Sequence, residues 1–91
     1  MEDDSNKGES ERDFLVLQKQ KEISLSRNLI SFRTKLKYTQ GELANLSGVS
    51  RVAINEIENK KRKIPSGNTI LRLSNALGVK IEDLFKDESN N

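Results

Sequence analysis

Residues 40–59 read QGELANLSGVSRVAINEIEN and predict two short helices joined by a tight turn. Thr39 stands just before the first helix and Glu42 follows three residues later. This is the spacing of a capping box, in which the Thr hydroxyl accepts from a free helix N–H and the Glu carboxylate accepts from the cap's own N–H. Gly48 is expected to end this helix, because the residue after a helix commonly needs a positive φ, which glycine adopts without steric cost. Ser50 is placed to cap the second helix.

The second helix of this stretch is predicted to have one buried and one exposed face. Ile54 and Ile57 stand three positions apart with Ala53 beside them, which indicates a face packed on the core. The opposite face is polar and carries Arg51, Asn55, Glu56 and Asn59. The apolar residues of the first helix are Leu43, Ala44 and Leu46, of which Ala44 is small enough to let the helices cross closely. Such a pair meets the requirements of a helix-turn-helix unit, whose second helix lies in the major groove of DNA.

Over roughly residues 25–86 the sequence resembles the Cro/repressor (XRE-type) family of bacterial and phage transcription regulators. The matching features occur in this order: Leu29, Phe32-Arg33, Thr39-Gln40, Leu43-Ala44, Gly48-Val49-Ser50, Ile54, Ile57-Glu58-Asn59, Pro65, Leu77-Gly78-Val79 and Leu84-Phe85. The ordered set carries the resemblance, since no single feature is diagnostic. The resemblance implies an all-α fold, a compact five-helix lambda-repressor-like DNA-binding domain.

The resemblance also implies which side chains contact DNA. Contacts to bases are expected from Arg51, Val52, Asn55 and Glu56, and contacts to phosphates from Gln40, Asn59, Lys61, Arg62 and Lys63. An arginine can form a bidentate pair with guanine, a valine can pack on a thymine methyl, and an asparagine can address adenine. Asn55 is equally suited to a phosphate. Glu56 accepts from cytosine N4, orients Arg51, or is a solvated surface charge.

An arginine on an apolar stripe predicts a structural ion pair. The helix expected over residues 26–37 places Arg33 on the stripe formed by Leu29, Phe32 and Leu36. A buried charge requires a partner. The resemblance places an arginine of the first helix beside the glutamate near the end of the third, so Glu58 is the expected partner. This pair is interpreted as holding the fold and not as reading DNA sequence.

The remaining segments complete the five helices. Lys60 stands where the family usually has a glycine, so this turn is expected to be strained or changed in shape. A fourth helix capped by Ser66 is expected to bury Ile70, Leu71, Leu73 and Leu77 and to end at Gly78. A fifth helix covers residues 81–85, in which Leu84 and Phe85 either cover the core or form a dimer contact.

Length and charge define the expected domain organisation. Ninety-one residues make one domain at most. Residues 1–12 are expected to be a disordered acidic tail, residues 13–23 an extension of ambiguous structure, residues 24–86 the helix-turn-helix domain and residues 87–91 a polar tail. Residues 1–13 hold six acidic and two basic residues, a net charge of −4, whereas residues 24–80 hold eleven basic and three acidic residues, a net charge of +8. The basic excess therefore lies on the folded unit and favours a polyanionic partner such as DNA.

Composition also argues against several classes of function. The chain has no cysteine and no histidine, which removes disulfides, Cys/His metal sites and Cys- or His-based catalysis. No enzyme activity, metal or cofactor is expected. No apolar run approaches membrane-spanning length, so no membrane partner is expected. The protein is expected to be cytoplasmic and to be encoded by a bacterium or a phage.

The sequence therefore predicts a small sequence-specific regulator of transcription. It is expected to act as a repressor that reads an inverted-repeat operator in double-stranded DNA as a homodimer. The alternative is a protein-interaction module, such as an antitoxin or anti-repressor, in which residues 14–17 bind a partner protein. Residues 13–23 either pack on the helical bundle or pair with their copy in a dimer.

Overall fold

A computed structural model describes residues 4–61 and 64–87, of which residues 4–10 are described by their backbone alone. These residues form five helices: α1 Asp4–Lys35, α2 Gln40–Ser47, α3 Arg51–Glu58, α4 Gly67–Leu77 and α5 Ile81–Leu84. No strand occurs in the described ranges. The expected all-α, five-helix class is confirmed.

The core lies where the C-terminal half of α1 meets the other four helices. α1 packs on α3 and α5, while α2 packs on α3 and α4. The most completely enclosed apolar side chains come from all five helices: Leu25, Leu29, Leu43, Ile54, Leu73 and Leu84. Full burial of each contributes about 1.5–3 kcal/mol relative to exposure. The core therefore fixes α2 and α3 against one rigid support.

Three leucines expected on apolar faces are exposed instead: Leu36, Leu46 and Leu71. Leu36 follows the end of α1 and so leaves its stripe. In α2 the covered side follows Leu43 and Ser47, which are four positions apart, and this turns Leu46 outward. In α4 the buried residues are Ile70, Leu73, Ser74 and Leu77, so Leu71 falls outside that face.

The largest difference from the sequence-based expectation concerns α1. This helix begins at Asp4 and not near residue 26, so the expectation of disorder was wrong for residues 4–12; residues 1–3 lie outside the described part. Residues 9–23 contain no glycine or proline and are rich in strong helix formers. Once the packed half of α1 exists, extending it adds one hydrogen bond per residue without a new nucleus. At 1.5 Å per residue, the 32 residues make a rod about 48 Å long.

Candidate nucleic-acid interface

Side-chain caps define the ends of α2 and α3 as the sequence predicts. Thr39 Oγ1 accepts from Glu42 N at 3.0 Å and Thr39 N donates to Glu42 Oε1 at 2.8 Å, which completes the capping box. Gly48 has a φ of +78° and its N–H donates to Ala44 O. Ser50 Oγ accepts from Ala53 N at 3.1 Å and starts α3. These bonds fix where α2 begins and ends and where α3 begins.

One face of α3 is open to solvent. Ala53, Ile54 and Ile57 are buried, whereas Arg51, Val52 and Asn55 are exposed, Val52 to 66%. The three exposed side chains line a shallow surface cavity of about 260 Å³. A guanidinium, a branched apolar group and an amide therefore lie side by side, and each suits a different base edge.

The structure places Arg33 against Glu58 behind this face. Arg33 Nε donates to Glu58 Oε2 at 2.7 Å and Nη2 donates to Oε1 at 2.9 Å, a bidentate geometry. The two side chains are only 15% and 5% exposed. Hydrogen bonding to the Glu58 carboxylate raises the pKa of Arg33, with its charge adding to the effect and burial opposing it. Arg33 Nη1 also donates to Tyr38 O at 2.8 Å, which ties the loop before α2 to the same pair.

A chain of side-chain amides runs from this ion pair to the exposed face. Gln40 Nε2 donates to Glu58 Oε1 at 2.9 Å, and Gln40 Oε1 accepts from Asn55 Nδ2 at 3.2 Å. Asn55 Oδ1 in turn accepts from Asn59 Nδ2 at 3.2 Å. We call Gln40, Asn55 and Asn59 the amide chain. Three residues expected to contact DNA are thus oriented by a buried carboxylate, a connection that the sequence did not predict.

The other expected contact residues have separate positions. Glu56 is half-buried on α3, while Lys61 is exposed just beyond its end, with its N–H donating to Glu56 O at 2.8 Å. Arg62 and Lys63 lie outside the described residues. Lys60 has a φ of +59°, which is the left-handed region that favours glycine. A residue with a side chain costs about 1–2 kcal/mol at such a positive φ. Of the two expectations for this turn, strain and a change of shape, the structure agrees with strain.

Two buried polar residues on α1 were not identified from the sequence as contacts. Ser26 Oγ donates to Glu58 O at 2.7 Å and so caps the end of α3. Asn28 Nδ2 donates to Leu84 O at 3.0 Å and to Lys86 O at 2.8 Å, which holds the end of α5. Both lie next to the buried Leu25 and Leu29 on the packed side of α1. Their position on the packed side of α1 could have indicated that both side chains form hydrogen bonds, because buried polar groups are almost always hydrogen-bonded.

Two other kinds of feature are absent from the part of the chain that the structure describes. No group of three or more Asp, Glu, His or Cys side chains there is arranged to hold a metal ion. Among the same residues, no helix combines the length and the apolar character needed to cross a membrane.

Comparison with known proteins places this geometry in a family. The pattern of the helix-turn-helix family matches residues 29–84. The sequence is 41% identical over 62 residues to the HTH-type transcriptional repressor RghR of Bacillus subtilis (strain 168), covering 68% of this chain and 46% of that protein, so the chain spans about half the length of this relative. The fold is similar to the restriction-modification controller protein C.AhdI from Aeromonas hydrophila, with a TM-score of 0.66 and 31% identity over 70% of this chain and 96% of that one. It is also similar to the hypothetical transcription factor NHTF from Neisseria, with a TM-score of 0.73 and 26% identity over 80% and 81% of the two chains.

Proposed function

The chain belongs to the helix-turn-helix family of DNA-binding transcriptional regulators, and we propose on that basis that it is a repressor that binds an inverted-repeat operator as a homodimer. The observation that carries the proposal is the exposed face of α3, where Arg51, Val52 and Asn55 lie together while the opposite face is buried. A helix so presented fits the major groove of DNA.

Each residue of this face is assigned a contact by its chemistry. Arg51 pairs with guanine O6 and N7, and Val52 packs on a thymine methyl. Asn55 uses one amide hydrogen on Gln40 and accepts one bond from Asn59. It keeps a second hydrogen and a second lone pair, which are the donor and acceptor that a bidentate contact to adenine requires. Glu56 accepts from cytosine N4 at the edge of this set.

Phosphate contacts position the protein on the duplex. We assign them to Gln40, Asn59, Lys61, Arg62 and Lys63. Gln40 Nε2 retains one hydrogen beyond its bond to Glu58, and Lys61 is exposed beyond the end of α3. Cations that neutralise phosphates release counterions, so affinity is expected to fall steeply as salt rises.

A dimer is proposed because sequence-specific binding needs more base contacts than one copy provides. One small module buries too little surface on DNA for high specificity alone. Two copies related by a two-fold axis read half-sites roughly 34 Å apart, one turn of the duplex, and this doubles the number of base contacts. Occupation of such a site over a promoter blocks transcription without any effector.

Selection of binding sites from a random duplex pool tests the proposal. The full chain at near-physiological salt is expected to recover an inverted repeat with half-site centres about 10 base pairs apart. Recovery of no enriched sequence by folded protein would refute sequence-specific binding, and recovery of a single unrepeated site would refute dimeric reading.

Two substitutions then separate base contacts from phosphate contacts. Arg51→Ala is expected to lose about 1–3 kcal/mol of discrimination at one base pair in each half-site. Lys61→Ala is expected to weaken binding to every duplex equally and to reduce the salt dependence. Arg27→Ala removes the same charge from an exposed position on α1 and serves as the control. Uniform weakening by Arg51→Ala on all duplexes would reassign Arg51 to the backbone.

A further inference from the structure

The N-terminal half of α1 carries apolar side chains that its own bundle leaves uncovered. Phe14, Leu15, Val16 and Leu17 are 61%, 64%, 53% and 54% exposed. Among the side chains of this helix that the structure describes, from Glu11 onward, the first buried one is Leu25, so the turns formed by residues 11–21 project beyond the core. Clustered exposed apolar residues of this kind mark interaction sites more often than residues scattered singly.

The same half of α1 carries opposite charges at the two ends of one stripe. Glu11, Phe14, Leu17 and Lys21 are spaced by three, three and four positions, so they lie on one side of the helix. All four are exposed. The stripe is therefore acidic at its start, apolar in the middle and basic at its end.

We propose that this stripe is a homodimer interface in which two copies of α1 pack antiparallel. The inference rests on the proposed dimeric function and names its contact surface. In an antiparallel pair centred between Leu15 and Val16, Phe14 packs on Leu17 of the partner subunit and Glu11 approaches Lys21 of the partner subunit. Both contacts occur twice by symmetry. A parallel pair would instead place like charges opposite one another, and the charge pattern thus selects both the occupant and its direction.

A notch at the base of the projecting helix suits this arrangement. Gln18, Lys21, Ile64 and Phe85 line a cavity of about 510 Å³ between α1 and the end of α5. Side chains on a helix lean towards its N-terminus, which in an antiparallel pair is towards the C-terminus of the other helix. Phe14 of the partner subunit therefore leans from Leu17 towards Lys21 and Phe85, into the mouth of the notch.

This dimer separates its two copies of α3 by about the distance between DNA half-sites. Ser26 and Arg33 both bond to Glu58, so α3 is attached to α1 near residue 29. That point lies about 14 residues from the centre of the proposed pair, or about 20 Å at 1.5 Å per residue. The two attachment points are then about 40 Å apart along the helices, close to the roughly 34 Å between half-sites.

Sedimentation equilibrium of the full chain without DNA tests the interface. Wild-type protein is expected to be a dimer at micromolar concentration. Phe14→Glu is expected to weaken the dimer at least about a hundredfold, because two symmetric phenyl groups lose their burial. Its melting curve in dilute solution should match that of wild type, since Phe14 is exposed in the monomer. Leu71→Glu changes an equally apolar, exposed position on α4 and should leave the dimer intact.

Charge exchange tests the antiparallel register. Glu11→Lys and Lys21→Glu each replace two attractive contacts by two repulsive ones and are expected to weaken the dimer about tenfold. The double variant restores opposite charges across the interface and should return to within about threefold of wild type. No charged residue lies three or four positions from Lys21, so Lys21→Glu leaves the neighbouring helix surface undisturbed. A double variant as weak as the singles would overturn the register.

Other outcomes separate this inference from the proposed function. A monomeric wild type at about 100 µM, or an intact Phe14→Glu dimer, would overturn the interface. A dimer that Phe14→Glu disrupts, together with failure to select an inverted repeat, would support the interface and refute the proposed operator. Phe14→Glu is also expected to bind a duplex carrying one half-site as wild type does, because Phe14 is remote in sequence from α2 and α3.

Discussion

Removal of Arg33 is expected to destabilise this fold strongly. Arg33→Ala deletes the two guanidinium bonds to the Glu58 carboxylate, at 2.7 and 2.9 Å, and the bond to Tyr38 O. Glu58 is only 5% exposed, so water cannot replace the guanidinium without opening the core. Gln40 Nε2 remains as a donor, but it is neutral.

The expected loss follows from leaving a buried charge without its counter-charge. Breaking such a pair by removing one partner costs about 3–5 kcal/mol. The free energy of unfolding of a small domain is about 5–15 kcal/mol, so the variant retains a small margin at best. With a urea dependence of about 1–3 kcal/mol per molar, the midpoint should fall by at least about 1 M. Urea unfolding followed by circular dichroism measures this shift.

Two controls identify the cause. Arg27→Ala removes an exposed arginine from the same helix and should change the free energy of unfolding by less than about 0.5 kcal/mol. Arg33→Met combined with Glu58→Leu removes both charges and should recover most of the loss. The pKa of Arg33 is raised by its hydrogen bonds to Glu58, so its contribution to stability is complete below its unfolded-state pKa, which lies far above neutrality, and is lost only as pH rises through the still higher folded-state value. The difference between wild type and Arg33→Ala thus gains no pH dependence from the arginine in the neutral range. A midpoint shift below about 0.3 M would refute the claim that this pair supports the fold.

Three further substitutions test other parts of the structure. Asn28→Ala leaves the carbonyls of Leu84 and Lys86 without their donor and should lower the free energy of unfolding by about 1–3 kcal/mol; a neutral result in thermal unfolding would show that water replaces the amide. Lys60→Gly removes a side chain from a residue with φ of +59° and should raise that free energy by up to about 1 kcal/mol, and a loss measured in urea would contradict strain at this turn. Gln40→Ala disconnects Asn55 from the ion pair and should weaken binding to all selected duplexes in a fluorescence anisotropy titration, whereas unchanged affinity would show that the amide chain has no role in binding.

Local signals in the sequence predicted the helix-turn-helix well. Thr39, Gly48 and Ser50 act through neighbours at most four residues away, so their bonding could be read from spacing alone. An isolated charge on an apolar stripe predicted that Arg33 has a counter-charge, and the family resemblance predicted that this is Glu58, 25 residues away. The exposure of Arg51 and Asn55 followed from helical periodicity, whereas Val52 was expected beside them from the family resemblance.

Other features depended on contacts that periodicity does not encode. The polar composition of residues 4–12 indicates disorder and residues 13–23 are ambiguous in sequence, whereas helix propensity and a packed continuation favour helix over both segments. Leu36, Leu46 and Leu71 are apolar yet exposed, since which side of a short helix meets the core depends on its neighbours. The amide chain joins residues from two helices through 3 Å contacts, and only the packed structure brings Gln40 between Glu58 and Asn55.

On the exposed face of α3, the amide chain connects Asn55 to the rest of the fold, whereas Arg51 and Val52 are not part of the amide chain. Arg51 and Val52 are exposed on the first turn of α3, whereas Asn55 is bonded through Gln40 to the carboxylate that anchors α3 to α1. Substitutions at Arg51 and Val52 should therefore change which operator is bound with little loss of stability. A change at Asn55 also alters the partner of Gln40, and so divergence in DNA recognition should be fastest at the start of α3 and slowest in its second turn.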